Sequence, residues 1–166
     1  MKILGSTIVI AFFLLLSLNL IQAQTELNQV ELMNKYIGTW KIEVSEDTNS
    51  IFEVTAFKED VLEINSKTVA NGKIIYEGKS LRGYDKKSNK YIDVGEDLDY
   101  PPALIFTFWW FSSEDICHLS NNEDLNNSEK GTIKSKIEFK SPDLFIQTIT
   151  KNGKVKKINT VKRVRD

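Results

Sequence analysis

From Trp40 onward apolar and polar side chains alternate, and turn chemistry breaks the alternation about every ten residues, the spacing of an all-β sandwich or barrel. A period of two puts successive side chains on opposite faces of an extended strand and rules out an amphipathic helix over the same stretch. Trp40, Ile42 and Val44 alternate with Lys41, Glu43 and Ser45. Phe52, Val54 and Ala56 alternate with Glu53 and Thr55, and Leu62, Ile64 and Ser66 with Glu63, Asn65 and Lys67. Asn71-Gly72 and Asn152-Gly153 supply the paired positive φ angles of type I′ hairpins. Further strands are expected over 73–84, 90–95, 103–111, 115–120, 132–140, 144–151 and 154–164. Consecutive hairpins of this kind predict an all-β fold, an antiparallel up-and-down barrel of about 8–10 strands, because closure removes the edges a flat sheet would expose. A weak helical spacing of Leu27, Val30, Glu31 and Asn34 predicts one short helix near 28–35 ahead of the barrel.

The first 23 residues read differently. Lys2 is the only charge before Glu26, an apolar run covers Ile3–Ile21, and Ile21-Gln22-Ala23 closes it. That order is the pattern of a secretory signal cleaved after Ala23. The chain therefore divides into a signal (1–23), a short helical lead-in (24–36) and a barrel domain (37–166). The expected location is secreted, periplasmic or extracellular, with no stable membrane anchor once the signal is removed. No Cys ends the segment, which argues against a lipid anchor.

Composition excludes several functions. Lys and Arg number 22 against 23 Asp and Glu, a net charge of -1, so bulk charge does not favour nucleic acid as a partner. One His and one Cys cannot build a His/Cys zinc site or an intrachain disulfide. They also assemble no nucleophile, base and orienter, so the chain is read as a non-enzyme without a cofactor. Cys117 is expected as a small buried hydrophobe, with His118 on the opposite face of the same strand. Asp93, Glu96, Asp97 and Asp99 lack the glycine and terminal Glu of an EF-hand loop and are read as a solvated turn beside Pro101-Pro102.

The segment 104–111 is apolar on both alternating faces. Phe106, Phe108 and Trp110 share one face and Ile105, Trp109 and Phe111 the other, so cover is expected on both sides, the outer one from the N-terminal helix or a second protein. At most one of Trp109 and Trp110 faces a barrel interior, where it would wall a ligand cavity. In the fourth strand Tyr76, Gly78, Ser80 and Arg82 share a face; if it is the inner one, Arg82 offers a guanidinium fork for a carboxylate in an apolar cavity.

Gly38-Thr39-Trp40 follows the short helical segment and opens the first strand. It resembles the Gly-x-Trp signature of lipocalins and their calycin relatives. The run from Leu81 through Gly83-Tyr84-Asp85 to Tyr91 is similar to that of small secreted bacterial lipocalin-like proteins. The resemblance implies a barrel whose closed end holds Trp40, with Gly38 beside it and an Arg of the last strand, Arg163 or Arg165, packed across the Trp ring. It also implies a small, mostly apolar ligand held in the barrel, possible carboxylate included, with Tyr76, Arg82, Trp109 and Trp110 as its candidate contacts. The competing expectation is a solid-cored barrel whose exposed aromatics meet a protein partner. Interior volume separates the two, a cavity of ~300 Å³ or more favouring the carrier.

Overall fold

The structure is a computed structural model and describes residues 27–96, 104–122 and 131–165. The export signal with its cleavage after Ala23, and Asp97, Asp99, Pro101 and Pro102, lie outside the described residues.

Helix α1 (Gln29–Met33) tightens into a 3₁₀ turn at Asn34–Tyr36, where a single helix over 28–35 was expected. Asn28 caps α1, its side-chain oxygen accepting from the Glu31 N–H at 3.2 Å. A helix of this length does not persist alone in water. Packing holds it: Met33 and Tyr36 are buried against the barrel. The buried Gln29 amide grips the Phe111 backbone in both directions, Nε2 donating to Phe111 O at 3.0 Å and Oε1 accepting from Phe111 N at 2.7 Å.

Ten strands follow: β1 (Gly38–Ser45), β2 (Thr48–Lys58), β3 (Val61–Ala70), β4 (Lys73–Asp85), β5 (Lys90–Glu96), β6 (Leu104–Ser113), β7 (Ile116–Asn122), β8 (Ile133–Ser141), β9 (Leu144–Lys151) and β10 (Lys154–Arg163). Each pairs antiparallel with the next, and β10 pairs with β1 to close the barrel. The type I′ signals act as expected: Asn71, Gly72, Asn152 and Gly153 all have positive φ. The closing seam is short, running Trp40–Arg163, Lys41–Lys162 and Ile42–Val161. The β4–β5 ladder is short too, from Arg82–Asp93 to Asp85–Lys90, so among the described residues the upper half of β4 pairs only with β3.

The helix, the 3₁₀ turn and the β8–β9 turn gather at one end of the barrel and close it as a lid. There Tyr36, Trp40, Phe111, Phe139 and Phe145 form one aromatic cluster, with centroid separations of 4.8 Å for Trp40–Phe145 and 5.1 Å for Tyr36–Phe139. Large aromatics bury the most apolar area per residue, which is why a few suffice to cork a barrel end.

The expected two-faced strand is β6. Trp109 and Phe111 share the register of the inward-facing Tyr91 and Cys117, whereas Phe108 and Trp110 face out opposite Ser120 and His118. The helix does not lie over that outer face. It meets β6 at its lower end, where β5 has not yet begun and the Gln29 amide stands in for the missing strand. Phe108 is nonetheless only 2% exposed.

Candidate ligand-binding site

A cavity of about 240 Å³ lies inside the barrel above the lid, lined by Ile42, Phe52, Val54, Ile64, Ile137 and Phe145 as apolar wall, with Trp109 and Arg82 on one side and Tyr36 as floor. Ser66 and Gln147 add polar groups toward the far end. Ile42, Phe52, Ser66 and Gln147 are half-buried while Tyr36, Val54, Arg82 and Phe145 are buried, so the cavity opens away from the lid. Its volume falls below the ~300 Å³ set for a drug-sized carrier. It exceeds the ~150 Å³ apolar cavity that holds benzene in a protein engineered for it, and so suits a ligand of about ten non-hydrogen atoms.

Arg82 lines this cavity and is 5% exposed. Its fork, expected to await a ligand carboxylate, is already occupied. Arg82 Nε and Nη2 each lie 3.1 Å from Asp93 Oδ2, and Trp109 Nε1 donates to the same oxygen at 3.1 Å. The guanidinium lies 3.4 Å from the centroid of the Trp109 ring, a contact that gains strength when desolvated. Nη1 meets only the Met33 thioether, at 4.0 Å. The expected binding mode for Arg82 is thereby corrected: the carboxylate partner is internal, and the pair is close to neutral. Asp93 in turn is no solvated turn residue but an inward-facing member of β5.

Tyr36 carries the other polar group of the floor. Its hydroxyl is shielded from solvent and makes no well-formed hydrogen bond, its polar neighbour being the Cys117 thiol. The Cys117 thiol beside it donates instead to the His118 carbonyl, at 3.6 Å. Burial, and after it the neighbouring Cys117, raises the Tyr36 phenol well above its ordinary value, so it stays protonated. Burial likewise pushes the Cys117 thiol up to about 12, which leaves it inert.

Two other expected contacts lie elsewhere. Trp110 faces out of the barrel: His118 stacks on its ring at 5.4 Å and the Lys90 ammonium sits 4.4 Å from its centroid. It cannot wall the interior, because Trp109, one residue away, takes the inner position. Tyr76 keeps the inner parity, opposite Thr68, but sits near the upper rim, 48% exposed, beyond the cavity. Its ring folds back over Gly78, where any Cβ would collide with the phenol.

At the closed end Trp40 is fully buried and donates from Nε1 to the Tyr36 carbonyl at 2.7 Å. Arg163 lies across its ring, 4.2 Å from the centroid, and binds the carbonyls of Lys35 and Pro142 at 3.0 Å and that of Ile37. Arg165 instead pairs with Asp143. Gly38 has φ +127°, and a Cβ there would run into the Arg163 guanidinium, so only glycine fits. Arg163 thus ties the lid to the β8–β9 turn while covering Trp40.

Sequence reasoning missed Tyr36 and Asp93. Hairpin arithmetic could have found Asp93: a turn centred between Asp85 and Lys90 sets Tyr84 opposite Tyr91 and Arg82 opposite Asp93. No local signal marks the Tyr36 hydroxyl, whose isolation depends on everything packed around it.

Fold and site together define a small closed antiparallel barrel with one corked end and an apolar interior, an architecture that fits the calycin type. No family model matches the chain, and no curated protein does. A solved structure described as "EF1p2_mFAP2b bound to DFHBI" covers 82% of this chain and 100% of its own, with 12% identity and a TM-score of 0.36.

Proposed function

We propose that this chain is a secreted, lipocalin-like binding protein that holds a small, mostly apolar molecule inside its barrel. The observation that carries the reading is the cavity itself: about 240 Å³ of apolar-walled space directly above a corked floor. Binding would be driven by desolvation of the ligand against Phe52, Trp109 and Phe145, with few polar groups to fix its orientation. The reading is of binding without catalysis, supported by the inert Cys117 and by His118 on the opposite face of β7. Export rests on the 1–23 pattern alone.

Native mass spectrometry after gentle purification is the first test, since a retained ligand reports its own mass. Titration with naphthalene should then change tryptophan emission saturably, and Trp109→Phe should remove most of that change. Absence of both a retained ligand and saturable binding would sink the reading. It would favour the interaction module instead, whose best surface is the exposed Ile74, Ile75 and Leu81 of β4, a strand that lacks a second neighbour there among the described residues.

A further inference from the structure

We infer that the cavity binds its ligand with a compact apolar foot on the floor and one neutral hydrogen-bond acceptor, such as a ketone carbonyl, at the mouth, where the Gln147 amide donates to it. The inference rests on the binding reading above and names the ligand class and its orientation.

The donors that line the cavity decide this, because the others are engaged or sealed off. Trp109 Nε1 and the Nε and Nη2 edge of Arg82 all lie 3.1 Å from Asp93 Oδ2. Arg82 Nη1 turns to Met33 Sδ, 4.0 Å away, and Met33 is fully buried in the lid. The Tyr36 hydroxyl is sealed beside the Cys117 thiol, so its ring and not its oxygen faces the cavity. The Ser66 hydroxyl donates to the Gly78 carbonyl at 3.2 Å. Gln147 differs from all of these. It shares the inner face of β9 with Phe145, two residues closer to the open end, and it is half-buried where it lines the cavity. Its Oε1 accepts from Asn159 Nδ2 at 3.0 Å across the β9–β10 ladder, which fixes the amide. Its Nε2 makes no hydrogen bond among the described residues. A ligand that fills the mouth strips water from that N–H group. It must offer an acceptor in return or leave the donor unpaired, and the second outcome costs free energy. Lower down, the Tyr36 ring, Val54, Ile137 and Phe145 present apolar surface. A polar atom seated there would lose its water without gaining a partner from them, so the apolar end of the ligand goes to the floor.

The test uses three probes of the same outline and heavy-atom count: cumene, acetophenone and 1-phenylethanol. Each is titrated into the full folded chain at pH 8 and followed by ligand-observed NMR, with a thermal melt of every variant as a folding control. Gln147→Glu keeps an oxygen to accept from Asn159 and puts an acceptor where the free donor stood. It should weaken acetophenone about tenfold and leave cumene within about twofold, while 1-phenylethanol, whose hydroxyl donates, keeps its affinity or gains. Gln147→Met removes the amide without adding charge. It should weaken acetophenone relative to cumene by roughly two- to tenfold, the range of one neutral hydrogen bond. Two longer ketones test the orientation. Valerophenone extends the acyl side toward the mouth and should bind the unmodified chain at least as well as acetophenone. 4-tert-Butylacetophenone extends the ring toward the closed floor and should bind about tenfold more weakly, the cost of overfilling a packed space. The reverse order of these two would overturn the orientation. Equal changes for acetophenone and cumene in both Gln147 variants would overturn the role of Gln147 and leave the cavity reading intact. Failure of cumene and acetophenone alike to bind the unmodified chain would overturn the cavity reading and this inference with it.

Discussion

Replacing Arg82 by methionine keeps most of the side chain's stem and removes its charge. In the folded barrel Asp93 Oδ2 would lose two of its three donors, Arg82 Nε and Nη2, and keep only Trp109 Nε1. The Asp93 side chain is 13% exposed, so water replaces those donors poorly. Trp109 would also lose the guanidinium that lies on its ring. Breaking one side of a buried ion pair costs about 3–5 kcal/mol, because the surviving charge stays buried and uncompensated. In a domain of this size that amounts to a fall of roughly 10–15 °C in the melting midpoint. Asp93→Leu should cost a similar amount by stranding Arg82. The double variant Arg82→Met with Asp93→Leu removes both charges together and should lose less than either single change, since buried pairs exchanged for apolar residues are often neutral. Urea denaturation of the four proteins at pH 7 gives the cycle directly. Additive losses, with the double variant the least stable of the four, would refute the pairing and its place inside the barrel.

Trp40→Ala should cost about 3–5 kcal/mol, as truncation of a large buried aromatic does, and an unchanged urea midpoint would remove Trp40 from the core. Cys117, whose thiol is pushed up to about 12 by burial, should resist a thiol reagent at pH 8 until urea unfolds the chain; rapid labelling of the native protein would contradict its packing. His118, the chain's only histidine, is held below its ordinary pKa by burial and then by Lys136 across the β7–β8 ladder. Its folded form therefore binds its proton less readily than the unfolded form, and stability should fall as pH drops below about 6.5 toward the depressed folded value. His118→Gln should flatten that part of a melting-temperature profile between pH 7 and 5, and an unaltered slope would assign the dependence to carboxylates.

Alternation and turn chemistry are local, and they made the strands legible residue by residue. The Asn71-Gly72 and Asn152-Gly153 hairpins stand where the dipeptides require them, and β9 spans the same residues the pattern marks, Leu144–Lys151. The opposite faces of Trp109 and Trp110 also follow from a period of two. Which of those faces is the interior does not, because β6 is apolar on both. Only closure of the ring, with Trp109 set beside Tyr91 and Leu119, decides it.

The site divides along the same line. An arginine in a strand advertises a charge but not its partner. The partner is set by the register of β4 on β5, which carries Asp93 across to Arg82 and turns an anion fork into a neutral pair. The Tyr36 hydroxyl is likewise an ordinary polar atom in the sequence. It becomes a buried group shielded from water beside the Cys117 thiol only when a helix too short to stand alone is pressed into the barrel end, held by Gln29 on Phe111 and by Arg163 on the Lys35 carbonyl. Strand periodicity is a property of neighbours in the chain, whereas satisfaction of buried charge and hydrogen bonds is a property of neighbours in space.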